Sequence, residues 1–143
     1  MSDPAGYSGT LLAQKLGPKD GQRALFIDLP ASLVDLTTSR QFVESTRITV
    51  HQLNEAAPGY DFVHLFTTAR SVLEALAQPL MSLIARDGMI WVSWPKKAAK
   101  VATDITEDVI RAVVLPIGLV DVKVCAVDAT WSGLKLVIRK ELR

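Results

Sequence analysis

The chain has 143 residues, 49% hydrophobic and 22% charged, and 16 Lys and Arg against 15 Asp and Glu leave a formal net charge of +1. That length suits one domain of about 100–150 residues, and the balanced charge leaves no broad electrostatic footprint for nucleic acid. A single cysteine, Cys125, excludes an internal disulfide framework or a cysteine-rich zinc site.

Residues 1–10 (MSDPAGYSGT) are small and polar and are read as a flexible tail, with 11–143 as a single α/β domain. They lack the basic-then-apolar order of a secretory signal, and no later stretch reaches the roughly 18 apolar residues of a membrane helix. The expectation is a cytoplasmic protein with no membrane partner. Leu11, Leu12, Ala13 and Leu16 offer one short helical face before the turn Gly17-Pro18-Lys19-Asp20-Gly21. Arg23 to Leu29 is an apolar run bounded by turns, which suits a strand covered on both faces. Segments 31–36 and 41–45 read as helical, and the alternating, β-branched Arg47 to Leu53 reads as a strand, an open sheet edge inviting self-association.

Asp61 to Thr68 reads as a buried strand. Val72, Leu73, Leu76, Leu80, Leu83 and Ile84 then recur at helical spacing, with Pro79 predicting a kink or a break and Gly88 a left-handed cap. Met89 to Trp94 is the next strand, stopped by Pro95. Asp104 with Glu107 resembles a capping box for a helix carrying Ile105, Val109, Ile110, Val113 and Val114, closed by Pro116 and Gly118. Segments 122–127 and 134–139 form a terminal hairpin around a longer loop. Strands alternating with helices predict a three-layer α/β fold: a mainly parallel sheet, helices on both faces and a C-terminal antiparallel hairpin.

Ligands of such sheets bind beyond the carboxyl ends of the strands. Asp28, Arg70, Trp94, Lys96, Lys97, Asp128 and Trp131 all belong to segments predicted at that edge. Two indoles beside three cations can hold a flat or anionic ligand by stacking and ion pairing, while lysines after a strand are as readily solvated and a Trp beside Pro as readily caps a core. No catalytic residue and no metal ligand is assigned: His51 and His64 have no Cys, Asp or Glu at ligand spacing. A Ser93–His64–Asp128 set can be drawn, but no G-x-S-x-G turn presents the serine. The turn after the first strand, Asp28-Leu29-Pro30-Ala31-Ser32-Leu33, contains no glycine, so it lacks the close backbone approach of a dinucleotide cradle.

Two resemblances follow. Asp61 to Arg139 resembles the second half of a class I S-adenosylmethionine-dependent methyltransferase, with Gly88-Met89-Ile90-Trp91-Val92 as its glycine-then-strand entry. That likeness implies a Rossmann-like fold reduced by one strand–helix unit, with the final strand inserted beside the preceding parallel one and the tryptophans Trp94 and Trp131 brought together. Over nearly the whole chain, Tyr7-Ser8-Gly9-Thr10, Leu16-Gly17, Trp91 to Lys97, Thr103 to Glu107, Gly118 to Asp128 and Thr130 to Leu134 resemble the domain-of-unknown-function 3052 family of small bacterial proteins. This implies a bacterial cytoplasmic protein of methyltransferase-like fold and no assigned activity. Two functions remain open. One is a non-enzymatic binding or interaction module, needing no cofactor, whose rim meets an unknown protein partner or a small anionic ligand. The other is a small methyltransferase with S-adenosylmethionine in an atypical site lined by Asp28 and the 93–97 loop.

Overall fold

The computed structural model describes residues 11–143; the predicted tail, 1–10, lies outside the described residues. Six strands form one sheet in the order β2-β1-β3-β4-β6-β5: β1 Arg23–Ile27, β2 Glu44–Ile48, β3 Tyr60–Phe66, β4 Ile84–Pro95, β5 Leu119–Ala126 and β6 Trp131–Ile138. The pairings β1–β2, β1–β3 and β3–β4 are parallel, and β6 runs antiparallel between β4 and β5. The inserted last strand expected from the methyltransferase likeness is therefore present, and the fold class is the predicted one.

Alternation along the strands sorts the core into two layers. Leu25, Ile27, Val63, Leu65, Ile90, Val92, Trp94, Leu134 and Leu136 face one side. There they meet α2, Arg70–Leu83, through Leu73, Ala77, Leu80 and Leu83, and α3, Glu107–Val114, through Ile110 and Val114. Ala24, Phe26, Phe62, Phe66 and Trp91 face the other side, under Leu16 of the helical residues 11–16 (α1) and Leu36 of a 3-10 segment, Ala31–Thr38. Trp91 ties α1 down directly, its Nε1–H donating to the Leu16 carbonyl at 2.8 Å.

Several local expectations give way. The edge strand is Glu44–Ile48, not 47–53: segment 41–45 is not helical, and Val50–Glu55 is a 3-10 turn with Gln52 Oε1 accepting from the Thr49 N–H at 2.9 Å. β-Branched residues favour a strand only while a neighbouring ladder exists, and β1 ends level with Ile48. α2 is continuous through Pro79. Gly88 does not cap it, because the chain enters β4 at Ile84; a Cβ on Gly88 would sit 3.0 Å from the carbonyls of both Ala85 and Tyr60, so the glycine serves a close strand contact beside a register shift. Gly118 does close the helical segment after α3, at φ +112°.

Asp104 caps a different helix from the one expected. Its Oδ1 accepts from the Arg70 backbone N–H at 2.7 Å, at the start of α2, while α3 begins at Glu107 with Thr106 Oγ1 accepting from Val109 N–H at 3.2 Å. Among the described residues no helix is long and apolar enough to cross a membrane.

Candidate functional site

The carboxyl ends of β1, β3 and β4 share one edge of the sheet, and β2 ends beside β1. Asp28 follows β1 with φ +55°, a left-handed conformation unusual for a residue with a side chain. The conformation is held from the neighbouring strand: the Asp28 N–H donates to the Ile48 carbonyl at 2.9 Å, and Asp28 Oδ1 accepts from Val50 N–H at 3.3 Å. Leu29 turns inward and is buried in the layer of Phe26 and Phe66. A cavity of about 530 Å³ opens between the β1 and β2 ends, lined by Asp28, Leu29, Arg47, Ile48, Thr49 and Gln52.

The other rim residues do not join Asp28. Trp94, Lys96 and Lys97 line a separate cavity of about 680 Å³ on the α3 side, with Thr103, Glu107 and Arg111 among its walls. Arg111 offers that cavity little free charge, since its guanidinium donates to Glu107, Asp108 and Asp121 at 2.8, 3.1 and 2.9 Å. These carboxylates raise the Arg111 pKa, and Arg111 in turn holds the Asp121 carboxyl below its usual range. Lys96 and Lys97 form no ion pair among the described residues.

The two rim tryptophans are neighbours in register and strangers in space. Pro95 pairs with Trp131, and Trp94 with Ser132, so the two indoles project from opposite sheet faces. Trp94 belongs to the α2–α3 layer, whereas Trp131 packs edge-on against Phe66 with ring centroids 5.3 Å apart. Asp128 is spent on its own turn, its Oδ1 accepting from the N–H groups of Thr130 and Trp131 at 2.8 and 2.7 Å. Arg70 pairs along α2 with Glu74 at 3.2 Å and lines a cavity between α2 and α3. The expected single rim therefore splits among three cavities, that of Asp28, that of Trp94, Lys96 and Lys97, and that of Arg70, while Asp128 and Trp131 make structural contacts. The error was one of face: adjacent segments at a strand end present alternate residues to opposite sides.

A buried pair does form where no site was assigned. His64 on β3 and Ser93 on β4 are fully buried, and Nε2 and Oγ share a 2.8 Å hydrogen bond. His64 stacks on Phe66 at 4.1 Å, and burial drives its pKa down to about 3. Nδ1 has no hydrogen-bond partner among the described residues. With Asp128 committed to its turn, no acid among the described residues completes a triad, and both residues are sealed from solvent. The missed signal was alternation: His64 lies in phase with Phe62 and Phe66, hence in the core. Among the described residues no group of three or more His, Cys, Asp or Glu converges as a metal site.

No protein-family model and no curated protein matches the sequence. Solved structures do match at the level of fold. An S-adenosylmethionine-dependent methyltransferase from Aquifex aeolicus superposes with a TM-score of 0.65 at 14% identity, over 95% of this chain and 94% of that one. Magnesium protoporphyrin IX methyltransferase of Synechocystis, solved with bound SAM, gives 0.64 at 15% identity over 95% and 78% of the two chains. A third S-adenosylmethionine-dependent methyltransferase, from Clostridium acetobutylicum, gives 0.63 at 8% identity over 96% and 93%. The chain thus has the methyltransferase-like Rossmann fold.

These neighbours are S-adenosylmethionine-dependent enzymes, one of them solved with bound SAM. The cavity lies at the carboxyl ends of the first two strands, where folds of this kind take nucleotide-like ligands. Its volume falls within the roughly 300–1,000 Å³ of small-molecule sites. Asp28, Arg47 and Gln52 bring hydrogen-bonding groups of both signs, acceptor and donor, to its lining. The turn Asp28-Leu29-Pro30 does not offer the bare backbone of a glycine loop.

Proposed function

We propose that this chain is a small S-adenosylmethionine-dependent methyltransferase with an atypical cofactor seat. The supporting observation is the polar cavity beside Asp28, at the carboxyl ends of β1 and β2 in a fold shared with such enzymes. In this reading Asp28, Arg47 and Gln52 hold the adenosyl group, and the bound cofactor supplies a methyl group on a sulfonium, electrophilic without help from a metal. The protein's part is then positioning and water exclusion. His64 takes no part as a base, because it is sealed in the core. The acceptor approaches from the side of Lys96 and Lys97, the cations of the second cavity that form no ion pair among the described residues. The protein works in the cytoplasm, and membership of the domain-of-unknown-function 3052 family belongs to the same proposal.

Titration calorimetry tests it. Micromolar binding of S-adenosylmethionine or S-adenosylhomocysteine, weakened at least tenfold by Asp28→Asn, is the expected result. No heat at millimolar ligand refutes it.

One observation favours a second reading, the non-enzymatic module. Leu29 fills the space behind the turn and Pro30 fixes its path, so the usual entry for a cofactor backbone is closed. On this reading neither cofactor binds, and substituting Lys96 and Lys97 by Ala abolishes binding of an acidic protein partner or small anion.

A further inference from the structure

The sheet is not covered evenly. α1 and the segment Ala31–Thr38 lie over β1, β3 and part of β4, whereas the same face of β5 and β6 carries half-buried and exposed side chains. Register maps this face in rows. Met89, Val137 and Val120 form one row across β4, β6 and β5; Trp91, Lys135 and Lys123 form the next; Ser93, Gly133 and Cys125 form the third.

The middle row places Lys135 directly opposite Lys123 on neighbouring strands, an arrangement that costs stability in the free protein. Two further lysines approach it. Lys15 extends from α1 to place Nζ 3.0 Å from the Ala126 carbonyl at the end of β5, and Lys19 lies close enough to act on Lys135. Among the described residues none of these four lysines forms an ion pair with a carboxylate. Partial burial is the first cause that holds the Lys135 pKa below its ordinary value, and Lys123 and Lys19 add to it. The surface is thus a ridge of unpaired cations between half-buried apolar residues: Met89, Val120 and Val137 on one side, Cys125 on the other.

We infer that the face of the β5–β6 hairpin left uncovered by the described residues docks an acidic, amphipathic segment of a partner protein, whose carboxylates meet Lys123 and Lys135 while its apolar side chains cover Val120 and Val137. The charge pattern selects the acid, since four cations converge in a chain whose net charge is only +1. The aliphatic and thioether floor selects a peptide over a nucleic acid backbone, which brings phosphates but nothing to bury on Val120, Met89 and Val137. β5 itself is a poor template for strand addition: its register shifts between Asp121 and Lys123, and such a bulge blunts an edge. The partner is therefore placed on the face. This surface lies on the opposite side of the sheet from the Lys96–Lys97 cavity and does not depend on cofactor binding.

The test is an amide-resolved NMR titration of the full chain with a synthetic decapeptide of alternating Glu and Val. Expected are shifts confined to residues 120–125 and 133–137, saturating below millimolar peptide. Lys123→Gln with Lys135→Gln should weaken binding at least tenfold, and Lys96→Gln with Lys97→Gln should leave it unchanged. Lys15→Gln with Lys19→Gln, which leaves the hairpin intact, should weaken it about threefold. No shifts at millimolar peptide, shifts centred elsewhere, or tighter binding of a single-stranded oligonucleotide at the same lysines would overturn the inference. So would movement of these same amides on Asp3→Asn without peptide, because the chain's own first residues would then occupy the face.

Discussion

His64 makes the stability of this protein depend on pH in a calculable way. The folded chain holds the imidazole neutral, with its pKa lowered by burial from 6.5 to about 3, whereas the unfolded chain protonates it freely near 6.5. The unfolded state therefore binds more protons throughout the interval from about 6.5 down to 3, and stability falls as pH falls through it. Between pH 7 and pH 5 this one group removes about 2 kcal/mol, and below pH 3 the full loss is about 5 kcal/mol. The comparison at pH 5 isolates the histidine, since Glu44, bound by Tyr60 and Arg23, and Asp121, bound by Arg111, are both held below the usual carboxylate range and stay ionised there. The perturbation is the double variant His64→Leu, Ser93→Ala, which removes both hydrogen-bond partners and leaves no buried polar atom stranded. Urea unfolding at pH 7 and pH 5, followed by far-UV circular dichroism, should show the wild type losing about 2 kcal/mol more than the variant between the two pH values. Equal losses would mean that His64 is hydrated or charged in the folded chain, and the burial argument would fail.

Two further outcomes follow from backbone details. Asp104→Ala removes the carboxylate that accepts from the first turn of α2 and should cost about 1 kcal/mol in chemical denaturation, with Asp104→Asn restoring most of it. Gly118→Ala forces a Cβ into a left-handed position against Leu142 and Met81, and should lower the melting temperature by an amount equivalent to at least about 1 kcal/mol; an unchanged melting temperature would show that the φ of +112° is not required.

The layers of the fold were legible because they rest on period and punctuation. Ala24 to Ile27 is apolar at every position and Ile90 to Trp94 at every position but Ser93, which a sheet covered on both faces accommodates, and the spacing of Leu73, Leu76, Leu80 and Leu83 fits a helix. Boundaries were less legible where tertiary contacts decide them. Arg47 to Leu53 has strand-like residues throughout, but β1 supplies hydrogen-bonding partners only as far as Ile48, so the rest winds into a 3-10 turn. Asp104 looks like the cap of the helix that follows it, yet it reaches 34 residues back to Arg70, a contact no local pattern announces.

The candidate site failed in the sequence for a related reason, and the failure bears on function. Proximity to a sheet edge is readable from the strand ends; the face a side chain takes is not, once the chain leaves the strand. Trp94 and Trp131 flank a shared register position and still stand on opposite sides of the sheet. What survives at the carboxyl edge is smaller and more specific: Asp28, locked in a left-handed conformation by two hydrogen bonds to the β2 end, beside Arg47 and Gln52. A non-glycine residue is held there only because its surroundings enforce it. The Val50 N–H bond engages one carboxylate oxygen of a residue that also lines the cavity, so in the proposed reading the strained turn and the ligand contact fall on the same residue. Asp28→Gly relieves the strain and deletes the contact together. It should therefore leave the chain at least as stable while abolishing S-adenosylmethionine binding; a stabilised variant that still binds would locate the cofactor elsewhere on the edge and leave Asp28 a turn residue.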